Sequence, residues 1–123
     1  MGLVWRALAL SGLMLSVSAV VQAQIKIGQT AAFSGPGAAV VQETTEGARL
    51  YIDAVNAQGG IRGQQIELIS MDDKYEPRLS AANTKALIEQ GVLAMFLSRG
   101  TAQSQAMLPL LAQHKLALVA PST

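Results

Sequence analysis

Four short clusters in this chain hold the residue types that polar recognition needs. They are Ser34-Gly35-Pro36-Gly37, Asp72-Asp73-Lys74-Tyr75-Glu76, Ser98-Arg99-Gly100-Thr101 and Pro121-Ser122-Thr123. Three of them carry hydroxyls, at Ser34, at Ser98 and Thr101, and at Ser122 and Thr123. Hydroxyls beside the unpartnered backbone N–H groups of a helix start describe a site for a small carboxylate. One exposed helix terminus contributes only about 0.3–1 kcal/mol, so several such groups must converge. Arg99 either pairs a carboxylate or stays in water. Asp72-Asp73 either neutralises a ligand amine or caps the helix that Pro77 begins, and capping is the favoured role. Tyr75 lines the cleft or packs against its neighbours. His114 serves packing or complements a helix C-terminus.

The same inventory argues against catalysis. The chain has no cysteine and one histidine, which excludes a disulfide framework, a thiolate metal site and a cysteine nucleophile, and leaves no histidine metal cluster. Ser34 has no histidine within plausible reach, so a hydrolytic triad cannot be assembled from this segment. Gly35-Pro36-Gly37-Ala38-Ala39-Val40 approaches a dinucleotide fingerprint, but Val40 stands where a third small residue belongs. The acid that should close the second strand, Asp72, lies about 35 residues past Gly37, against about 20 in that motif. Phosphate-loop, nucleophile-elbow and zinc-protease motifs are missing from the sequence. We expect no cofactor and no metal.

The clusters fall at regular intervals in an alternating pattern. Gln24–Thr30 is short and rich in β-branched residues, a strand signal. From about Val41 the period becomes helical, with Ala48, Tyr51, Ile52 and Val55 on one face and Gly59-Gly60 as the stop. Arg62-Gly63 is a turn and Ile66–Met71 a second strand. Pro77 suits a first helical position, and Leu79, Ala82, Ala86 and Leu87 mark a second amphipathic helix ending near Gly91. Val92–Leu97 is a continuous apolar run, the mark of a strand covered on both faces. Met107, Leu110, Leu111 and His114 space a third helix that Pro109 should kink, and Leu116–Ala120 is a fourth strand. The order β-α-β-α-β-α-β predicts an α/β fold: a parallel sheet with right-handed crossovers and helices on both faces. In such sheets ligands sit outside the carboxyl ends of the strands, where the four clusters lie.

The first 23 residues read differently. Arg6 is their only charge, Ala7–Val20 is an apolar run, and Val21-Gln22-Ala23 places small residues where a signal peptidase cuts. This is the pattern of a secretory leader, and about 14 apolar residues fall short of the roughly 20 that span a bilayer. The expected division is residues 1–23 as signal peptide and 24–123 as a truncated N-terminal part of a larger binding domain. The exported chain would then sit in a bacterial periplasm. Residues 24–123 hold eight basic and eight acidic side chains. That balance argues against nucleic acid as a partner.

These residues also carry a specific resemblance. IKIGQT at 25–30, FSGP at 33–36, GARL at 47–50 and VNAQGGIRG at 55–63 resemble the solute-binding proteins of branched-chain amino acid ABC transporters. The likeness continues through IELI at 66–69, Asp72-Asp73, Glu76-Pro77, ANT at 82–84, Gly100-Thr101 and APST at 120–123. It implies a type I periplasmic binding fold, two α/β lobes closing over a ligand, of which this chain holds part of the first lobe. It also implies that Gly100 and Thr101 meet a ligand α-carboxylate through backbone N–H and hydroxyl. Ser122 and Thr123 would contribute from the next loop, with Ser34 and Gly35 at the rim. Some family members place an aromatic ring near Val40, and the Ser98-Arg99-Gly100 loop departs from the serine-rich version of leucine binders. Amides, urea, aromatic acids and short-chain carboxylates therefore stay open as ligands.

The implied function is capture of a small amino-acid-like solute and its delivery to an inner-membrane ABC permease. The alternative is the ligand-sensing domain of a receptor or regulator. An exported enzyme is the third possibility and would need a catalytic group that this segment does not contain.

Overall fold

The computed structural model describes residues 23–123. The expected leader therefore lies outside the described residues, apart from Ala23. Seven elements follow one another: β1 (Ile25–Ala31), α1 (Ala38–Ala57), β2 (Ile66–Asp72), α2 (Pro77–Glu89), β3 (Ala94–Phe96), α3 (Thr101–His114) and β4 (Ala117–Val119). The strands form one parallel sheet in the order β2-β1-β3-β4. This is the α/β alternation that the sequence predicts. No described helix is long and apolar enough to cross a membrane.

The pleat of β1 divides the helices between the faces. Gln29 points to one side, where its amide donates to Thr45 Oγ1 of α1 at 3.0 Å. Thr30 points to the other, where its hydroxyl donates to Asp73 and accepts from Asn83 of α2. On that second face Leu87, Val92, Met95, Met107 and Leu111 make the main core, joining α2, β3 and α3. Gly28 lets them approach, because a Cβ there would stand 2.8 Å from Met95 Sδ and 3.3 Å from Leu87 Cβ.

Several helix faces differ from the apolar stripes expected from spacing. In α1 the inward positions are Val41, Thr45, Ala48, Ile52 and Val55, and Tyr51 is 74% exposed. Steps of four and three residues from Val41 keep this row in line with the sheet, and Tyr51 sits one residue, about 100°, off it. In α2 the fully covered residues are Ser80, Thr84 and Leu87, with Ala82 in solvent. The two hydroxyls tolerate burial because Thr84 donates to the Ser80 carbonyl at 2.7 Å and Ser80 donates to Asp73 at 2.8 Å. In α3 the buried row is Gln103, Met107 and Leu111, and the helix runs on through Pro109. His114 is exposed in its last turn, which excludes the packing role. The 92–97 run pairs only over Ala94–Phe96, and Leu93 is 63% exposed.

The turns explain themselves. Gly59 and Gly60 take positive φ (100° and 72°), closing α1 with bonds back to Asn56 and Val55. Arg62 and Gly63 also have positive φ, the backbone of a two-residue hairpin between Ile61 and Gln64. Asn56 then reaches across, donating to the Ile66 carbonyl and accepting its N–H, at 2.9 and 2.8 Å. One amide side chain thus ties the end of α1 to the first residue of β2, which pairs with Ile25.

Candidate functional site

The sheet order reverses direction between β1 and β3, so the loops after these strands part to opposite faces and leave a crevice. The loops after β1, β2 and β3 meet there in a cleft of about 360 Å³ lined by Ser34, Pro36, Gly37, Lys74, Tyr75 and Arg99. A much smaller hollow beside it is lined by Gln29, Val41, Thr44, Leu97, Arg99 and Ser122.

The loop after β2 is built around two carboxylates with separate tasks. Asp73 is wholly buried and accepts from the Thr30 hydroxyl (3.2 Å), the Ser80 hydroxyl (2.8 Å) and the Tyr75 N–H (2.9 Å). Asp72 accepts from the Ser34 hydroxyl (2.6 Å) and from the N–H groups of Phe33 and Lys74 (both 2.9 Å). Partial burial pushes the Asp72 carboxyl up. The Ser34 hydroxyl and the neighbouring amides outweigh that and hold it below its ordinary value. Neither acid caps α2. Its N-cap is Glu76, with no side-chain hydrogen bond to the helix start, and Pro77 fills the first helical position. The capping role expected for the pair is corrected accordingly: Asp72 braces its loop against the loop after β1, and Asp73 ties it to β1 and α2.

Tyr75 is held rather than packed. Its backbone is left-handed (φ 63°), its N–H is fixed by Asp73, and its carbonyl accepts from Gln103 Nε2 at 2.6 Å. The ring is 55% exposed and lines the cleft. Beneath it, Gly100 (φ 103°) is the N-cap of α3, and a Cβ there would come within 3.3 Å of the ring and run into the Gln103 amide. No side chain caps α3, so the first N–H groups of the helix, beginning at Thr101, stay free of protein partners among the described residues.

The loop after β4 is tied to the same rim. Gly100 donates to the Ser122 carbonyl at 2.7 Å and Ser122 donates to the Ser98 carbonyl at 2.9 Å, a parallel bridge between Arg99 and Ser122. Thr101 and Thr123 therefore emerge at the same end of the sheet, and both are exposed. Of the seven residues singled out from sequence, Ser34 and Tyr75 line the main cleft and Ser122 lines the hollow beside it. Gly35 (φ 83°) is exposed on the same loop, Gly100 lies under Tyr75, and Thr101 and Thr123 stand outside both linings. Arg99 lines both hollows. Sequence reading missed Lys74, Pro36 and Gly37 as lining, and Gln103 and Gln29 as supports. Gln103 was visible in principle, four residues before Met107 on one helix face. Gln29 donates to the Leu97 carbonyl at 3.3 Å and so steadies the loop that carries Arg99. The described residues hold no group of three or more metal-ligating side chains.

A parallel α/β sheet with a switch-point cleft edged by hydroxyls and an uncapped helix start defines the class: a type I periplasmic binding fold. The family model described as "Periplasmic binding protein" matches residues 24–123, and the chain belongs to this family, the branch that includes branched-chain amino acid binding proteins. An amino acid binding protein of Pseudomonas aeruginosa is 32% identical over 77% of this chain and 26% of its own length. A substrate-binding periplasmic protein of Ralstonia solanacearum superposes with TM-score 0.76 at 32% identity, covering 80% of this chain and 29% of the other. The substrate-binding protein LivJ of Streptococcus pneumoniae, solved with isoleucine, gives TM-score 0.75 at 31% identity over 82% of this chain and 30% of its own. The chain thus spans about a quarter of the length of the curated relative.

Proposed function

We propose that residues 24–123 form part of the first lobe of a two-lobed solute-binding protein. It captures a small amino-acid-like carboxylate outside the cytoplasm and delivers it to an inner-membrane ABC permease. Residues 1–23 act as the export signal in this reading. The observation that carries it is the convergence of three βα loops on one crevice, with the uncapped start of α3 exposed beside it. Thr101 supplies a hydroxyl and backbone N–H to the solute carboxylate, Gly100 lets the chain pass under Tyr75, and Ser122 and Thr123 add the neighbouring edge. Ser34 and Gly35 form the outer rim. The amino acid binding and branched-chain binding relatives support this solute class.

The test is calorimetric titration of the protein that carries this lobe together with its second lobe. Thr101→Ala should weaken a carboxylate solute by about 1–3 kcal/mol, the loss expected for a hydrogen bond to a charged group. Unchanged affinity removes Thr101 from the site. Residues 24–123 alone should bind no such solute tightly, and micromolar binding by them would overturn the two-lobed reading.

A further inference from the structure

Cleavage of the leader after Ala23 leaves Gln24 at the head of the mature chain. A glutamine in that position holds its own electrophile, because its side-chain amide can meet its own α-amine in a five-membered ring. Two groups on one residue react as neighbours, without the entropy cost of bringing separate reactants together. An α-amine also gives up its proton nearer neutral pH than a lysine amine does.

The fold leaves that residue free. Gln24 is exposed and stands outside β1, which begins at Ile25. Among the described residues its N–H joins no backbone hydrogen bond. What comes immediately afterwards is fully engaged. Ile25 N–H donates to the Gln65 carbonyl at 2.8 Å, and the Lys26 carbonyl accepts from Leu93 N–H at 2.8 Å. Lys26 Nζ donates to the Gln90 carbonyl at 3.3 Å. β1 is an inner strand, between β2 and β3. The mature chain thus has a single residue of slack before its inner strand starts, and an aminopeptidase that went past Gln24 would remove the Ile25 bond to Gln65.

We propose that Gln24 is a modification site: it closes to pyroglutamate once the leader is cut, and the ring guards the entry to β1. The α-ammonium releases a proton and its nitrogen attacks Cδ of the same residue. The N–Cδ bond forms, the Cδ–Nε2 bond breaks, and the departing ammonia takes up the proton as ammonium. No oxidant, reductant or second molecule is consumed. The lactam keeps the main-chain carbonyl that joins Gln24 to Ile25, so the ladder is untouched, and the chain start loses its charge. This rests on the export reading above, with the cut after Ala23, and is independent of the solute that the cleft takes.

The experiment is intact-mass and N-terminal peptide analysis of the exported protein, expressed with its leader, both fresh and after standing at neutral pH. The N-terminal peptide should begin at residue 24 and become about 17 Da lighter than its free-glutamine form, the mass of the ammonia lost. It should resist aminopeptidase, and pyroglutamyl peptidase should restore stepwise sequencing from Ile25. Gln24→Asn, whose shorter side chain would have to close a four-membered ring, should keep a free amine and be trimmed. Its melting temperature before trimming should equal that of the parent, because residue 24 lies outside the ladder. A free α-amine at Gln24 that persists on standing overturns the inference and leaves the export reading intact. Equal trimming or equal resistance of parent and Asn variant overturns the guarding role. A chain that keeps residues 1–23, or is cut elsewhere, overturns the inference together with the assigned cut.

Discussion

The side-chain amide of Gln103 donates to the main-chain carbonyl of Tyr75 at 2.6 Å, joining the first turn of α3 to the loop after β2. Two of the three loops that meet at the cleft are thereby locked together without using any group that a ligand would need. The aromatic ring is left free to face the crevice while its backbone is held from both sides.

Gly100→Ala tests that lock. The φ of 103° strains any side chain, and the added methyl displaces the Gln103 amide from Tyr75. The expected loss is about 1–3 kcal/mol in urea denaturation. Adding Gln103→Ala removes the collision but not the strain, so the double variant should lose less than the sum of the two singles. Strict additivity would show that the two residues do not interact.

Asp73→Ala removes the acceptor shared by Thr30, Ser80 and the Tyr75 amide, two of them fully buried hydroxyl residues. Loss of about 2–4 kcal/mol is expected, and faster amide exchange at Tyr75 should accompany it. A change under about 0.5 kcal/mol, the range of ordinary surface substitutions, would contradict the bracing role.

Asp72 predicts an acid-sensitive rim. Its carboxyl titrates below its ordinary value when folded, so the stability it adds is present above the unfolded pKa of about 4 and fades as pH falls through the folded one. Asp72→Asn should flatten the decline of melting temperature below about pH 4 relative to the parent. Parallel curves for the two proteins would exclude a contribution from this group.

Gly28→Ala places a methyl 2.8 Å from Met95 Sδ and 3.2 Å from Leu87 Cδ1, inside the main core. Overpacking here should cost about 1–3 kcal/mol in denaturant unfolding. A neutral result would mean that Met95 and Leu87 reposition freely, which their complete burial opposes.

The alternation of elements was legible because each carries its own punctuation: Gly59-Gly60 after α1, Pro77 at the head of α2, and glycine before the start of α3. The rim positions followed from the parallel sheet alone. Helix faces were harder. Ser80, Thr84 and Gln103 are buried polar residues, and a count of apolar spacing passes over them, because only tertiary hydrogen bonds make their burial tolerable. Tyr51 misled in the opposite sense, being large and apolar yet one residue off the covered row. Lys74 joined the cleft through the left-handed backbone at 74 and 75, which no side-chain pattern reports.

Successive residues of β1 fasten different things: Gln29 grips α1 and the loop of Arg99, and Thr30 grips Asp73 of the next loop. A slip of this strand by one position would unfasten both at once. By contrast, the side chains at 74 and 99 bear no such duty. The scaffold thus separates the parts that must stay from the parts that can be exchanged. An engineer seeking altered selectivity would randomise those two sites first and leave the strand untouched.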